Sequence, residues 1–109
     1  MSTRTFTGFR KVNIYNENGG VWNLNFEWDD PNKKKDEYFN DGDLFNFVIK
    51  KDEKYMFEAD NNEDVEIKEE GCLFIKLMDN NDLNVFFKTI KDEEYAIHRG
   101  KENMSINRQ

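Results

Sequence analysis

Six clusters of turn-forming residues punctuate the chain: NENGG at 16–20, NDGD at 40–43, KKDEK at 50–54, DNNED at 60–64, DNND at 79–82 and KDEE at 91–94. Asn, Asp and Gly tolerate the positive φ angles and the side-chain-to-backbone bonds that tight turns need. The runs between the clusters are short and rich in β-branched and aromatic residues: FRKVNIY (9–15), VWNLNFEW (21–28), LFNFVIK (44–50), YMFEA (55–59), VEIKEE (65–70), CLFIKLM (72–78), LNVFFKTI (83–90) and YAIHR (95–99). They predict strands. Most connections are too short for a parallel crossover, which needs a dozen or more residues, so neighbouring strands should pair antiparallel. The predicted fold is all-β: a single small antiparallel meander of seven or eight short strands, forming a sandwich or an up-and-down barrel.

Two stretches depart from this rhythm. DDPNKKKDEYFNDGD (29–43) is long and polar, and reads as a loop or as one short helical turn near 31–39, because proline suits a first helical turn. GKENMSINRQ (100–109) reads as a polar tail that frays. The expected organisation is a single β domain over 1–99 followed by that tail, and 109 residues suffice for one modest core.

Side-chain alternation assigns faces. Trp22, Leu24, Phe26 and Trp28 share one side of the second run, with Asn23, Asn25 and Glu27 on the other, which predicts a core-facing row and a solvated amide face. Trp28 is followed by Asp29, Asp30 and Pro31, a setting for a half-exposed rim indole. VEIKEE alternates cleanly, with Val65 and Ile67 inward. CLFIKLM and LNVFFKTI are apolar on both faces, which puts the hairpin 72–90 at the middle of the structure, with both faces covered or with an apolar patch left exposed to bind something. Arg10 and Lys11 on the first run and Glu66, Lys68, Glu69 and Glu70 on the fifth give those two strands edge-like chemistry.

Charge is spread unevenly. The net charge is −7, yet residues 1–15 carry Arg4, Arg10 and Lys11 with no acid, while 29–70 hold fifteen acids against seven lysines. Such a field repels nucleic-acid phosphates and anionic lipid headgroups and attracts a basic partner. Glu58, Asp60, Glu63, Asp64, Glu66, Glu69 and Glu70 gather around one expected hairpin, with Lys68 alone opposing them. Cys72 is the only cysteine, which excludes an intramolecular disulfide, and MSTRTFTGFRK has no apolar run of the secretory kind. A cytoplasmic setting, in a cell or an infected host, is expected.

Parts for chemistry are few. His98 is the sole histidine and Cys72 lies in the most apolar run, where a thiol is usually an inert small hydrophobe. No nucleophile elbow, phosphate loop or dinucleotide glycine run is present. Zinc wants more Cys and His than the chain holds. DNNEDVEIKEEG starts like a calcium loop but has Val65 where glycine belongs and Gly71 where the bidentate Glu belongs; DNNDLNVFFKTI fails at Leu83. No metal or cofactor is expected, beyond a loose calcium ion at such a turn.

KVNIYNENGGVW resembles the opening hairpin of a βγ-crystallin Greek key, but Tyr15 stands too close to Gly19 and Gly20 for that motif. KKDEKYMFEA, EGCLFIKLMDNND and NVFFK resemble the later strands of the aegerolysins, without their C-terminal tryptophan and cysteine landmarks. No residue role is carried over from either family.

The sequence thus predicts a non-enzymatic acidic protein-interaction module, an inhibitor or regulator of a basic protein surface of the kind small viral or bacterial proteins use on a host. The seven hairpin acids are the candidate contact residues. The alternative is a sugar- or lipid-binding sandwich or barrel using Trp22 and Trp28, and the third reading is an unrecognised enzyme using His98. A monomer is expected, with a strand-edge homodimer as the alternative; neither nucleic acid nor membrane is an expected partner.

Overall fold

The structure, a computed structural model, describes residues 2–109. All six turn clusters contain a residue in the left-handed region: Asn18 (φ 56°), Gly42 (81°), Asp52 (67°), Asn61 (63°), Asn81 (70°) and Asp92 (67°). Asn, Asp and Gly reach that region at least cost, which is why the chain reverses at these places.

Among the described residues eleven strands form: β1 (Thr3–Phe6), β2 (Phe9–Asn16), β3 (Trp22–Trp28), β4 (Glu37–Tyr38), β5 (Leu44–Ile49), β6 (Tyr55–Ala59), β7 (Val65–Ile67), β8 (Gly71–Leu77), β9 (Leu83–Thr89), β10 (Glu94–Gly100) and β11 (Met104–Arg108). They form a sandwich of a five-stranded sheet, ordered β1-β5-β8-β9-β10, and a six-stranded sheet, ordered β4-β3-β2-β11-β6-β7. All pairs are antiparallel except β1 with β5, where Thr3 to Phe6 run beside Leu44 to Phe47. Eight strands match the expected runs. The other three, β1, β4 and β11, raise the count beyond seven or eight. The path is also not a simple meander, because the chain changes sheets between β1 and β2, β4 and β5, β5 and β6, β7 and β8, and β10 and β11.

Three further expectations need correction. Residues 31–39 contain no helical turn: the Asp30 carboxylate accepts from the Asn32 amide at 2.9 Å, the Asp30 carbonyl accepts from the Lys33 amide at 3.0 Å, and the chain then extends into β4. The tail over 100–109 does not fray, because β11 inserts between β2 and β6 and buries Met104 and Ile106. β2 is consequently an interior strand despite Arg10 and Lys11, whereas β7 is an edge as its charges suggested.

The core lies between the sheets and is dominated by aromatics. Phe6 touches the rings of Phe26, Phe45 and Phe47 with centroids 5.0 to 5.4 Å apart, joining the two layers. Trp22, Leu24 and Phe26 face inward and Asn23 and Asn25 outward, as the alternation predicted. Each such side chain withdrawn from water contributes about 1.5–3 kcal/mol. The hairpin β8–β9 does put β8 in the centre of its sheet, but only its inner face is covered: Leu73, Ile75, Leu83, Val85 and Phe87 are buried, while Cys72, Phe74 and Phe86 on the outer face are only part-buried and Ile90 is 70% exposed.

Candidate functional site

The outer face of the six-stranded sheet is built from the residues that the core-facing pattern leaves over. Strand register aligns them in three rows: Tyr38, Asn23 and Tyr15; Asn25, Asn13, Ser105 and Glu58; and Glu27, Lys11, Asn107, Met56 and Glu66. Period-two alternation in four separate strands places uncharged amides and a hydroxyl side by side in the middle of this face. β11 supplies Ser105 and Asn107 at its centre, so the face exists only because β11 is part of the sheet.

A groove of about 790 Å³ opens on this face, with Asn13, Asn25, Tyr15 and Ser105 on its floor and Glu58, Asp60, Asn61, Asn62, Asp64 and Asn103 along one side. That wall is braced. Asn62 donates to the Asp60 carbonyl at 2.9 Å and to Glu102 Oε2 at 2.7 Å, and the Asp60 amide donates to the Asn103 carbonyl at 3.0 Å. Glu102 is held below the usual carboxylate range first by a hydrogen bond from its own backbone amide and then by the nearby His98 and by Asn62. Lys11 is the one cation lining the groove among the described residues.

The predicted acid cluster is divided by the fold. Glu58, Asp60 and Asp64 line the groove, and Glu63 lies on the same turn. Glu66 stands at the end of the third row, 3.7 Å from Lys68 Nζ. Glu69 and Glu70 lie beyond β7 and turn away: Glu69 borders a depression with Tyr95 and Ile97, and Glu70 borders another with Val48 and Ile90. Among the described residues, the carboxylates of Glu58, Asp60, Glu63 and Asp64 form no ion pair and accept no hydrogen bond within 3.5 Å, so they remain free for an incoming cation.

The tryptophans do not form a platform. Trp22 is 1% exposed and its Nε1 donates to the Asn81 carbonyl at 2.9 Å. Trp28 is half-buried at the rim, but one face stacks on Phe26 at 4.2 Å and Lys33 Nζ lies 3.7 Å over its ring. Its Nε1 donates to the Lys35 carbonyl at 2.9 Å.

Cys72 and His98 face opposite sides of the five-stranded sheet. Cys72 is on the outer face in register with Lys88, whereas His98 points inward beside Phe57, ring centroids 6.0 Å apart. His98 Nε2 lies 3.1 Å from Glu102 Oε2, close enough to pair when the imidazole is protonated but not aligned as a hydrogen bond. The calcium-like stretches 60–71 and 79–90 are hairpin turns running into β7 and β9.

Of this face, the amides of β3 stand out in the sequence as a row, and their neighbours from β2 and β11 do so less plainly. The signal was present as V-N-I-Y and M-S-I-N, two further period-two patterns whose polar members are neutral. Comparison with protein-family models, with curated proteins and with solved structures finds no match for this chain.

Proposed function

We propose that this domain acts by binding rather than by chemistry, as an acidic interaction module that receives a basic segment of a protein partner in the groove on its six-stranded sheet. One observation carries the reading: Glu58, Asp60 and Asp64 stand unpaired along one wall of an open groove whose floor is neutral amide and hydroxyl. The acids supply attraction and rate, since complementary charge steers encounter, and Asn13, Asn25 and Ser105 supply donors and acceptors for the backbone of an extended segment. Masking a basic surface in this way is how the module would inhibit or regulate its partner, in the cytoplasm of a cell or of an infected host. The net charge of −7 acts in the same direction at long range, within a screening length of about 8 Å at physiological salt.

Titration with a Lys/Arg-rich peptide, followed by amide chemical shifts, tests the groove. Asp60→Lys with Asp64→Lys should lower affinity at low salt, with the loss shrinking as salt rises. Asp41→Lys with Glu93→Lys is the control, equal in charge change and placed on exposed turns that do not line the groove. Equal losses from both pairs would reduce the effect to net charge and remove the groove from the reading.

The sugar reading now rests on different residues. Tyr15 and Tyr38, 36% and 56% exposed, flank the amide rows and offer ring faces that Trp22 cannot. The same shift experiment with neutral oligosaccharides in place of the peptide distinguishes it, because sugar binding would be insensitive to salt.

A further inference from the structure

We propose that the free edge of β10 pairs antiparallel with the β10 edge of a second copy of this chain, joining two five-stranded sheets into one. Four strands end the two sheets, and three of them are poor templates. β4 is two residues long and β7 three, with Glu66 at its outward position. β1 is tied to β4, since Arg4 donates to Glu37 Oε1 and to the Tyr38 carbonyl, both at 2.6 Å. β10 runs seven residues without proline or lysine and keeps Tyr95 48% exposed. It is the longest of the four edges, and its row of unpaired backbone groups offers a template for a further strand.

The choice of a second copy follows from charge. β10 pairs with β9 through a bulge between Ala96 and His98, in which Ile97 is the extra residue. Because of it, Glu94, Ala96 and Arg99 lie on the outer face, opposite Lys88, Phe86 and Asn84, while Tyr95 and His98 lie on the inner side opposite Phe87 and Val85. Without the bulge Glu94 and Arg99 would point to opposite faces, since they stand five positions apart, an odd number. With it, one two-fold register sets Glu94 against the partner's Arg99 on one face and Tyr95 against the partner's His98 on the other. The charge pair then occurs twice, as an isologous interface requires. Arg99 is open to this: only its Nε approaches Asp82, at 3.4 Å, and the side chain is 53% exposed. Glu94 is exposed and forms no ion pair among the described residues.

The same pairing extends the uncovered apolar surface. Phe74 and Phe86 stack with centroids 5.2 Å apart, and their cross-strand row runs through Ala96 to the β10 edge. Across the two-fold axis that row continues into the partner's copy, so two modest patches become one strip on a ten-stranded sheet.

Light scattering of the full chain across a concentration series is the test, with circular dichroism to confirm that each variant folds. Wild type should pass from monomer to dimer as concentration rises, and high salt should oppose it. Glu94→Lys alone, and Arg99→Glu alone, should each weaken the dimer about tenfold or more, because two repulsive pairs replace two attractive ones. An equimolar mixture of the two single variants should recover dimer, since reversed charges then face each other across the axis. A wild-type monomer at every concentration overturns the proposal. So does a dimer indifferent to both single reversals, or a mixture that fails to recover, either of which would assign the contact to another surface or register.

Discussion

Arg108 grips Asp29 at two points, Nη2 to Oδ1 at 2.8 Å and Nη1 to Oδ2 at 3.0 Å, joining the end of β11 to the end of β3. The same guanidinium reaches the Phe9 carbonyl at 3.3 Å and lies 3.6 Å from Glu53. Hydrogen bonding and attraction from Arg108 hold the Asp29 carboxyl below its ordinary value. The Asp82 carboxyl is lowered as well, chiefly by Lys101 and Asn80. A carboxyl with a lowered folded-state pKa adds stability that is fully present above its unfolded value, about 4, and is lost as pH falls through the lower folded value. Arg108 stays charged throughout and adds no pH dependence of its own. Arg108→Met should therefore cost about 1 kcal/mol at neutral pH and flatten the acid limb, so that wild type and variant converge as pH falls. Urea midpoints between pH 7 and pH 2 check this, and a constant gap down to the lowest pH would contradict it.

The two faces of β3 should differ sharply under mutation. Trp22 fills the core, whereas Asn23 and Asn25 face solvent. Trp22→Ala should cost about 3–5 kcal/mol, and Asn23→Ala and Asn25→Ala no more than about 0.5 kcal/mol each. Asn25→Ala is the costlier of the two amide changes, because its Nδ2 donates to Asp36 at 3.0 Å. Urea midpoints of the three variants decide it; an Asn change as costly as the Trp change would reverse the facing.

The turns and the sided strands were legible because each carries its own local chemistry. Asn18, Asp52, Asn61, Asn81 and Asp92 sit at positive φ where their residue types predicted reversals. β1, β4 and β11 were not legible because their partners decide them. Thr3–Phe6 offers a single core residue, Phe6, and Glu37–Tyr38 is held by backbone bonds to β3. Met104 and Ile106 are only two apolar residues in a polar segment, and become a strand because β2 and β6 present edges on either side. The acid cluster failed in part for a related reason. Glu66 and Glu70 are four residues apart in sequence, yet the chain changes sheets between them, so neighbours along the chain are not neighbours on the surface.

β11 gives the clearest contrast between a tail and a structural strand. Ile106 is fully buried, in register with Val12 on one side and Phe57 on the other. Ile106→Ala should destabilise by about 2–5 kcal/mol, as much as an equivalent change at Leu73 in the centre of the other sheet. Thermal melts of the two variants compare them directly. A silent Ile106→Ala would mean that the strand does not contribute to the folded core.

Gly71 marks a place where one methyl group should be felt. It opens β8 on the inner side, in register with Thr89, and is buried. A Cβ added there would meet the Lys88 carbonyl oxygen and come within 2.8 Å of the Phe87 ring. The carbonyl belongs to the backbone of the paired strand and cannot swing aside as a flexible side chain would. Gly71→Ala should therefore cost about 1–3 kcal/mol through local separation of β8 from β9, despite alanine's ordinary advantage over glycine in restricting the unfolded chain. Gly19→Ala provides the contrast: its Cβ would meet nothing within 4 Å, and only the positive φ of 72° opposes it. Amide hydrogen exchange separates the two mechanisms. Gly71→Ala should speed exchange along β8 and β9, whereas Gly19→Ala should confine its effect to the β2–β3 turn, and unchanged protection in β8 and β9 would show that the sheet absorbs the methyl group.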